Sequence, residues 1–124
     1  MSNAPTVLFG LVPLVRAVVR SSTTATGTTV TEDDSGTLFV NLSTSAHVYT
    51  LPAVANGKGK SWLFFNGDGT STIAVASTAA NLKIDDLTGT TCTSTTTGIG
   101  DSILVIGDGT YYYGFEIVGS YTNA

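Results

Sequence analysis

The chain has 124 residues, 42% hydrophobic and only 11% charged, which suits a single domain and is too apolar for disorder. Nine acidic residues against five basic ones give a net charge of −4, and Arg16, Arg20, Lys58, Lys60 and Lys83 are scattered, which argues against nucleic-acid binding through the phosphate backbone. Cys92 is the single cysteine, so neither an intrachain disulfide nor a Cys-based zinc site can form.

The first stretch, Thr6 to Val19, is rich in Val and Leu and contains no acid. It lacks a basic region ahead of its apolar run, and Pro13 and Arg16 interrupt that run, so it reads as neither signal peptide nor membrane anchor. Gly10, Pro13 and the valines favour an extended arm or edge strand over a helix. Arg20 to Val30 follows as a hydroxyl-rich link. An apolar arm left exposed on a monomer marks an interface, and Val7, Leu8, Phe9, Leu11, Val12 and Leu14 are its candidate contacts with a capsid or a sister subunit.

Beyond the link, strand signals succeed one another at intervals of about ten residues, with turn residues between them. They fall at Gly36–Ser43, His47–Pro52, Lys60–Asn66, Thr72–Ser77, Asn81–Asp86, Ser102–Gly107 and Tyr111–Val118. The first alternates Leu38, Val40 and Leu42 on one face, whereas Lys60–Asn66 is apolar on both faces, as a central strand is. The spacing predicts an all-β, antiparallel sandwich or barrel of jelly-roll type, with residues 1–26 as arm and linker and 27–124 as the domain. Ser and Thr, roughly a quarter of the chain, replace the missing charge on its surface.

The motifs with chemical potential read as structure. GDGT occurs twice, at Gly67–Thr70 and Gly107–Thr110, each time between strand-like runs where Asp-Gly suits a tight hairpin. Neither loop has the further carboxylates of a calcium loop. His47, the only histidine, sits at the head of a strand and reads as a strand-edge residue. Glu32-Asp33-Asp34 and Asp85-Asp86 abut turns, and neighbouring strand residues point to opposite faces, so neither pair converges as a general acid and base. GKGK at Gly57–Lys60 lacks the spacing and the following helix of a phosphate loop. Trp62, Phe64 and Phe65 read as core, and Tyr111 to Tyr113 as alternately buried strand residues with the option of a sugar platform. The expectation is no catalytic residue, no metal and no cofactor.

One wider pattern stands out. "TTVTEDDSGTLFVNLSTSAHVYTLP", "AVANGKGKSWLFF", "NGDGTSTIAVA", "ANLKIDD" and "GDSILVIGDGTYYYGFEI", spanning Gly27 to Val118, resemble a β-rich module of bacteriophage virion proteins. Tyr111–Tyr113 stand where that pattern often has a tryptophan. Modules of this kind occur, usually as trimers, in capsid decoration (cement) proteins and in tail or head fibres, so the resemblance implies a structural role in the virion. The reading taken from it is a decoration protein on the capsid exterior that binds the major capsid protein as a homotrimer. With the charge, the first stretch and the motifs read as above, the expectation is no enzyme activity and no membrane or nucleic-acid partner. A receptor-binding tail or head fibre recognising host glycan is the alternative.

Overall fold

A computed structural model of the chain describes residues 19–23, 27–85 and 87–124. Twelve strands are described: β1 Val19–Ser22, β2 Gly27–Thr29, β3 Leu38–Asn41, β4 His47–Thr50, β5 Ser61–Asn66, β6 Ile73–Ala76, β7 Leu82–Ile84, β8 Leu87–Gly89, β9 Thr91–Ser94, β10 Ser102–Gly107, β11 Tyr112–Val118 and β12 Tyr121–Asn123. Two single 3₁₀ turns, Glu32–Asp34 and Val54–Gly57, are the only helical pieces among the described residues. Seven strands form one sheet in the order β1-β3-β5-β10-β11-β7-β8, and five form a second in the order β12-β9-β6-β4-β2. The sheets pack face to face as a sandwich, which is the all-β architecture expected from the strand spacing.

The pairing is not purely antiparallel as expected. Over the first half of the chain, successive strands alternate between the sheets, so β1, β3 and β5 pair in parallel in one and β2, β4 and β6 pair in parallel in the other. Parallel neighbours need a long crossover, in most proteins a helix. Here each crossover carries a strand of the opposite sheet, and the chain winds as a flattened coil of stacked turns. The second half returns by antiparallel pairing of β10 with both β5 and β11 and of β9 with both β6 and β12.

This winding assigns the two GDGT segments different jobs. Gly107–Thr110 joins the antiparallel β10 and β11, as expected of a hairpin. Gly109 alone has a positive φ, 93°, which is the pattern of a II′ turn and not of the I′ turn that needs two such residues. Gly67–Thr70 instead carries the chain from β5 in one sheet to β6 in the other, so the expected hairpin does not form there. The crossing is held by a buried amide network at the sandwich end. Asn41 Nδ2 donates to Asn66 Oδ1 (3.2 Å), Asn66 Nδ2 donates to the Ser71 carbonyl (2.8 Å), and Ser71 Oγ donates to the Ser43 carbonyl (2.9 Å). Both asparagines have no exposure, so these bonds replace the water they would otherwise need.

Between the sheets lie the large side chains of alternate strand positions. Trp62, Phe64, Phe39, Tyr49, Ile73, Leu82, Ile103, Val105 and Tyr112 are all buried. Phe39 stacks on Phe64 at 5.5 Å between centroids, and Tyr49 meets Phe64 at 4.8 Å. Phe65 departs from the expected core: it alternates to the outer face of β5 and is only partly buried.

Two segments read as linking residues are strands. Val19–Ser22 lies beside β3 at the edge of the seven-stranded sheet, and Gly27–Thr29 lies beside β4 at the edge of the other. Arg20 secures β1: its guanidinium bonds Asp34 at 2.9 Å and sits over the Phe39 ring at 5.2 Å. At the opposite side the sheets are tied together by Asn123 of β12, whose Nδ2 donates to the carbonyls of Leu82 in β7 (3.0 Å) and Leu87 in β8 (3.2 Å). The candidate contacts Val7, Leu8, Phe9, Leu11, Val12 and Leu14 lie outside the described residues.

Candidate interaction surface

The two outer faces of the sandwich differ in chemistry. Paired residues in a sheet share a face, so the registers can be read across it as rows. On the five-stranded sheet one outer row runs Thr29, Thr50, Ala76, Thr91, and another runs Val48, Ala74, Thr93, Thr122. These are five threonines with two alanines and one valine, a smaller-chained and more polar surface than that of the other sheet.

On the seven-stranded sheet the central outer row runs Val19, Leu38, Leu63, Leu104, Phe115, across five adjacent strands. It is flanked on one side by Val40 and Phe65 and on the other by Ile106 and Tyr113. Ile117 continues the outward alternation of β11. Val19, Phe115 and Ile117 are 60%, 52% and 55% exposed, values that large apolar side chains reach only where no other part of the described fold covers them. The outward positions of β1, β3, β5 and β10 carry no charged residue. The first charge on this face is Lys83 on β7, whose ammonium leans over the Tyr111 ring at 4.0 Å.

Reading single strands did not find this surface. Lys60–Asn66 was expected to be apolar on both faces because a central strand is covered on both, and β5 is central within its sheet. Its second face is only partly covered, because no layer of the described residues lies outside it. The outward alternation of Leu38 and Val40 was the available signal. Its meaning depended on Phe39 and Asn41 being the buried set, which the sequence pattern alone does not specify.

The chemically suggestive motifs resolve into structural parts. In the hairpin, Asp108 Oδ1 accepts from the N–H groups of Thr110 (2.8 Å) and Tyr111 (2.7 Å), while Oδ2 accepts from the Tyr113 hydroxyl (2.7 Å). The Tyr111 N–H above all, with the Tyr113 hydroxyl and the Thr110 N–H, holds the Asp108 carboxyl below the ordinary range. Asp68 accepts from the Thr70 hydroxyl (2.6 Å) and N–H (3.0 Å), which lower its pKa in the same order. Both carboxylates are thus used within their own turns.

Asp34 closes a capping box with Thr31, accepting from its N–H (3.0 Å) and hydroxyl (3.1 Å). Asp85, at φ 52°, stands in the turn joining β7 to β8, and Asp86 lies outside the described residues. No group of three or more His, Cys, Asp or Glu side chains converges among the described residues. Gly57 of GKGK has no room for a side chain, since a Cβ there would lie 2.4 Å from the Tyr112 hydroxyl. That hydroxyl donates to the Pro52 carbonyl (2.7 Å). The glycine serves packing.

His47 corrects the strand-edge expectation. It lies on β4, an inner strand of the five-stranded sheet, and has no exposure. Its Nε2 is 2.8 Å from Thr28 Oγ1, and its ring packs on Tyr49 at 4.7 Å. Cys92 is likewise buried, and burial pushes its thiol up to about 12, leaving it protonated and inert at neutral pH.

The fold therefore defines a β-sandwich whose chemical asymmetry lies between its two outer faces. Compared with known proteins, the chain matches no family model and no curated protein sequence.

Proposed function

We propose that this chain is a structural subunit of an assembled particle, a capsid decoration protein that binds the outside of a bacteriophage head and works as a homotrimer. The observation that supports this most is the uncharged apolar outer face of the seven-stranded sheet. A surface of that size on a charge-poor sandwich is what an assembly subunit uses, and an isolated monomer has no use for it. The resemblance of Gly27–Val118 to virion β-modules supports the particle in question. Asp68 and Asp108 serve their own turns, and His47 and Cys92 are buried in the core.

The reading is tested by incubating purified capsids lacking the protein with the full chain and pelleting them, followed by electron microscopy of the decorated particles. Binding at hundreds of copies in lattice register is the expected outcome. Failure to co-sediment, or binding at a handful of sites, overturns it.

A second reading has its own observation. A shallow groove of about 510 Å³ lined by Lys83, Asp85, Tyr113, Gly114, Phe115 and Glu116 combines aromatic rings with carboxylates, as saccharide sites do. A fibre or spike that binds host glycan would use it. Glycan-array binding lost on Tyr113→Ala would select that reading.

A further inference from the structure

We infer that the outer face of the seven-stranded sheet is the surface through which copies of this chain pack on one another. The inference rests on the assembly reading above and names the occupant of this face: a second copy, and not the capsid.

Charge is the first argument. At net −4, two copies repel wherever their carboxylates meet. Glu32 to Asp34, Asp68 and Asp101 lie off the outward positions of β1, β3, β5 and β10, in turns or between the sheets, and Asp85, Asp108 and Glu116 lie beyond them, around β11 and β7. The part of this face made by β1, β3, β5 and β10 is where two acidic molecules can approach without carboxylates meeting; the charged groups Lys83, Asp85, Asp108 and Glu116 lie at its β11–β7 end.

Geometry is the second. Two twisted sheets of the same hand pack face to face about 10 Å apart, and this sheet already does so on its inner side against the five-stranded sheet. A copy of itself presents a matching twist and the same leucine, β-branched and aromatic side chains.

Area is the third. Five strands about 4.8 Å apart, with two outward positions on β1 and on β3 and three on β5, β10 and β11, give a face of roughly 400 Å². Burying it on two copies removes about 800 Å², the size of a weak, reversible contact and below that of a stable one. A face that packs on its own copy is isologous and joins copies in twos, so the homotrimer proposed above needs a further, heterologous contact beside this one.

The test uses the isolated full chain in analytical ultracentrifugation from about 1 to 100 μM, without capsids. Wild type is expected to associate with rising concentration. Leu104→Glu, at the centre of the row, and Phe115→Glu, at its exposed end, are expected to raise the dissociation constant at least tenfold with unchanged circular dichroism. Val48→Glu, on the outer face of the other sheet, is expected to leave association as in wild type. Should Leu104→Glu unfold, Phe115→Glu and Ile117→Glu carry the test, because both side chains are more than half exposed.

A wild type that stays monomeric overturns the inference, as does association that Val48→Glu weakens as much as Phe115→Glu. A chain lacking residues 1–18 that associates where the full chain does not also overturns it, since the chain's own first segment would then be what covers the face. Co-sedimentation with capsids is measured on the same variants. Association lost with capsid binding retained confirms this interface. Association retained with capsid binding absent strikes the decoration role and leaves this interface standing.

Discussion

Asp108 shows how much one side chain does in a charge-poor protein. Its two oxygens accept three hydrogen bonds that close the β10–β11 turn, and these bonds hold its pKa below the ordinary value. Asp68 is lowered in the same way. A depressed carboxylate pKa contributes stability that is present above the unfolded value, about 4, and lost as pH falls through the folded one. Cys92, Tyr112, Tyr49 and Tyr121 are all shifted up, by burial first. For these groups the neutral form is favoured by folding, so their contribution is complete below the unfolded pKa values, about 8.5 to 10, and lost as pH rises beyond them. The urea midpoint is therefore expected to be flat from about pH 5 to 8 and to fall on both sides. Asp108→Asn is expected to shallow the acid limb while sparing the turn at neutral pH, because the amide oxygen still accepts from Thr110 and Tyr111. An unchanged acid limb would show that the turn bonds do not contribute to stability.

Gly57 makes a second prediction at this scale. A methyl group there meets the Tyr112 side chain at 2.4–2.7 Å, and Tyr112 is fully buried beside Trp62. Gly57→Ala is expected to destabilise the fold by about 1–3 kcal/mol, the cost of forcing a packed core to move. Chemical denaturation measures it. A neutral result would mean that the Val54–Gly57 turn shifts freely.

At the scale of elements, β1 extends the described sandwich into the stretch read as a linker. It pairs with β3 along Val19–Ser22, and the Leu42 N–H adds a bond to the Ser22 carbonyl at 2.8 Å. Arg20 bridges it to Asp34. A chain starting at Val19 is expected to keep the wild-type melting temperature, whereas one starting at Thr23 is expected to lose about 2–4 kcal/mol with the ladder of β1. Calorimetry of the two truncations separates these outcomes. Equal stability would mean that β1 only rests on the edge. The hydroxyl-rich composition of Arg20 to Val30 gave no warning of this strand, because Ser and Thr suit a loop as readily as an outward-facing edge position.

Over the whole molecule, association through an apolar face has a thermodynamic signature that charge pairing lacks. Sodium chloride is expected to leave the dissociation constant of the copies nearly unchanged, sulfate to lower it, and cooling towards 4 °C to raise it. Ultracentrifugation across these conditions checks the signs. A strong weakening by sodium chloride would point to the charged rims and away from the central row.

The strand content, the seven strongest strands and the core aromatics Trp62 and Phe64 were legible in the sequence, because β-branched and aromatic runs punctuated by Gly, Asp and Asn have one local solution. The five short strands β1, β2, β8, β9 and β12 were not, since segments of three or four residues rich in Thr, Ser and Gly acquire strand geometry only from a neighbour. The identical tetrapeptide GDGT is a hairpin turn at Gly107 and a crossing between sheets at Gly67, and only the pairing of distant strands decides which. The same holds for His47, buried by its neighbours β2 and β6, and for the row Val19–Leu38–Leu63–Leu104–Phe115. Local sequence sets each strand's alternation. The tertiary fold chooses which side faces the second sheet, and with it which apolar side chains are left outside, because one rotation of the sheet exchanges core for surface.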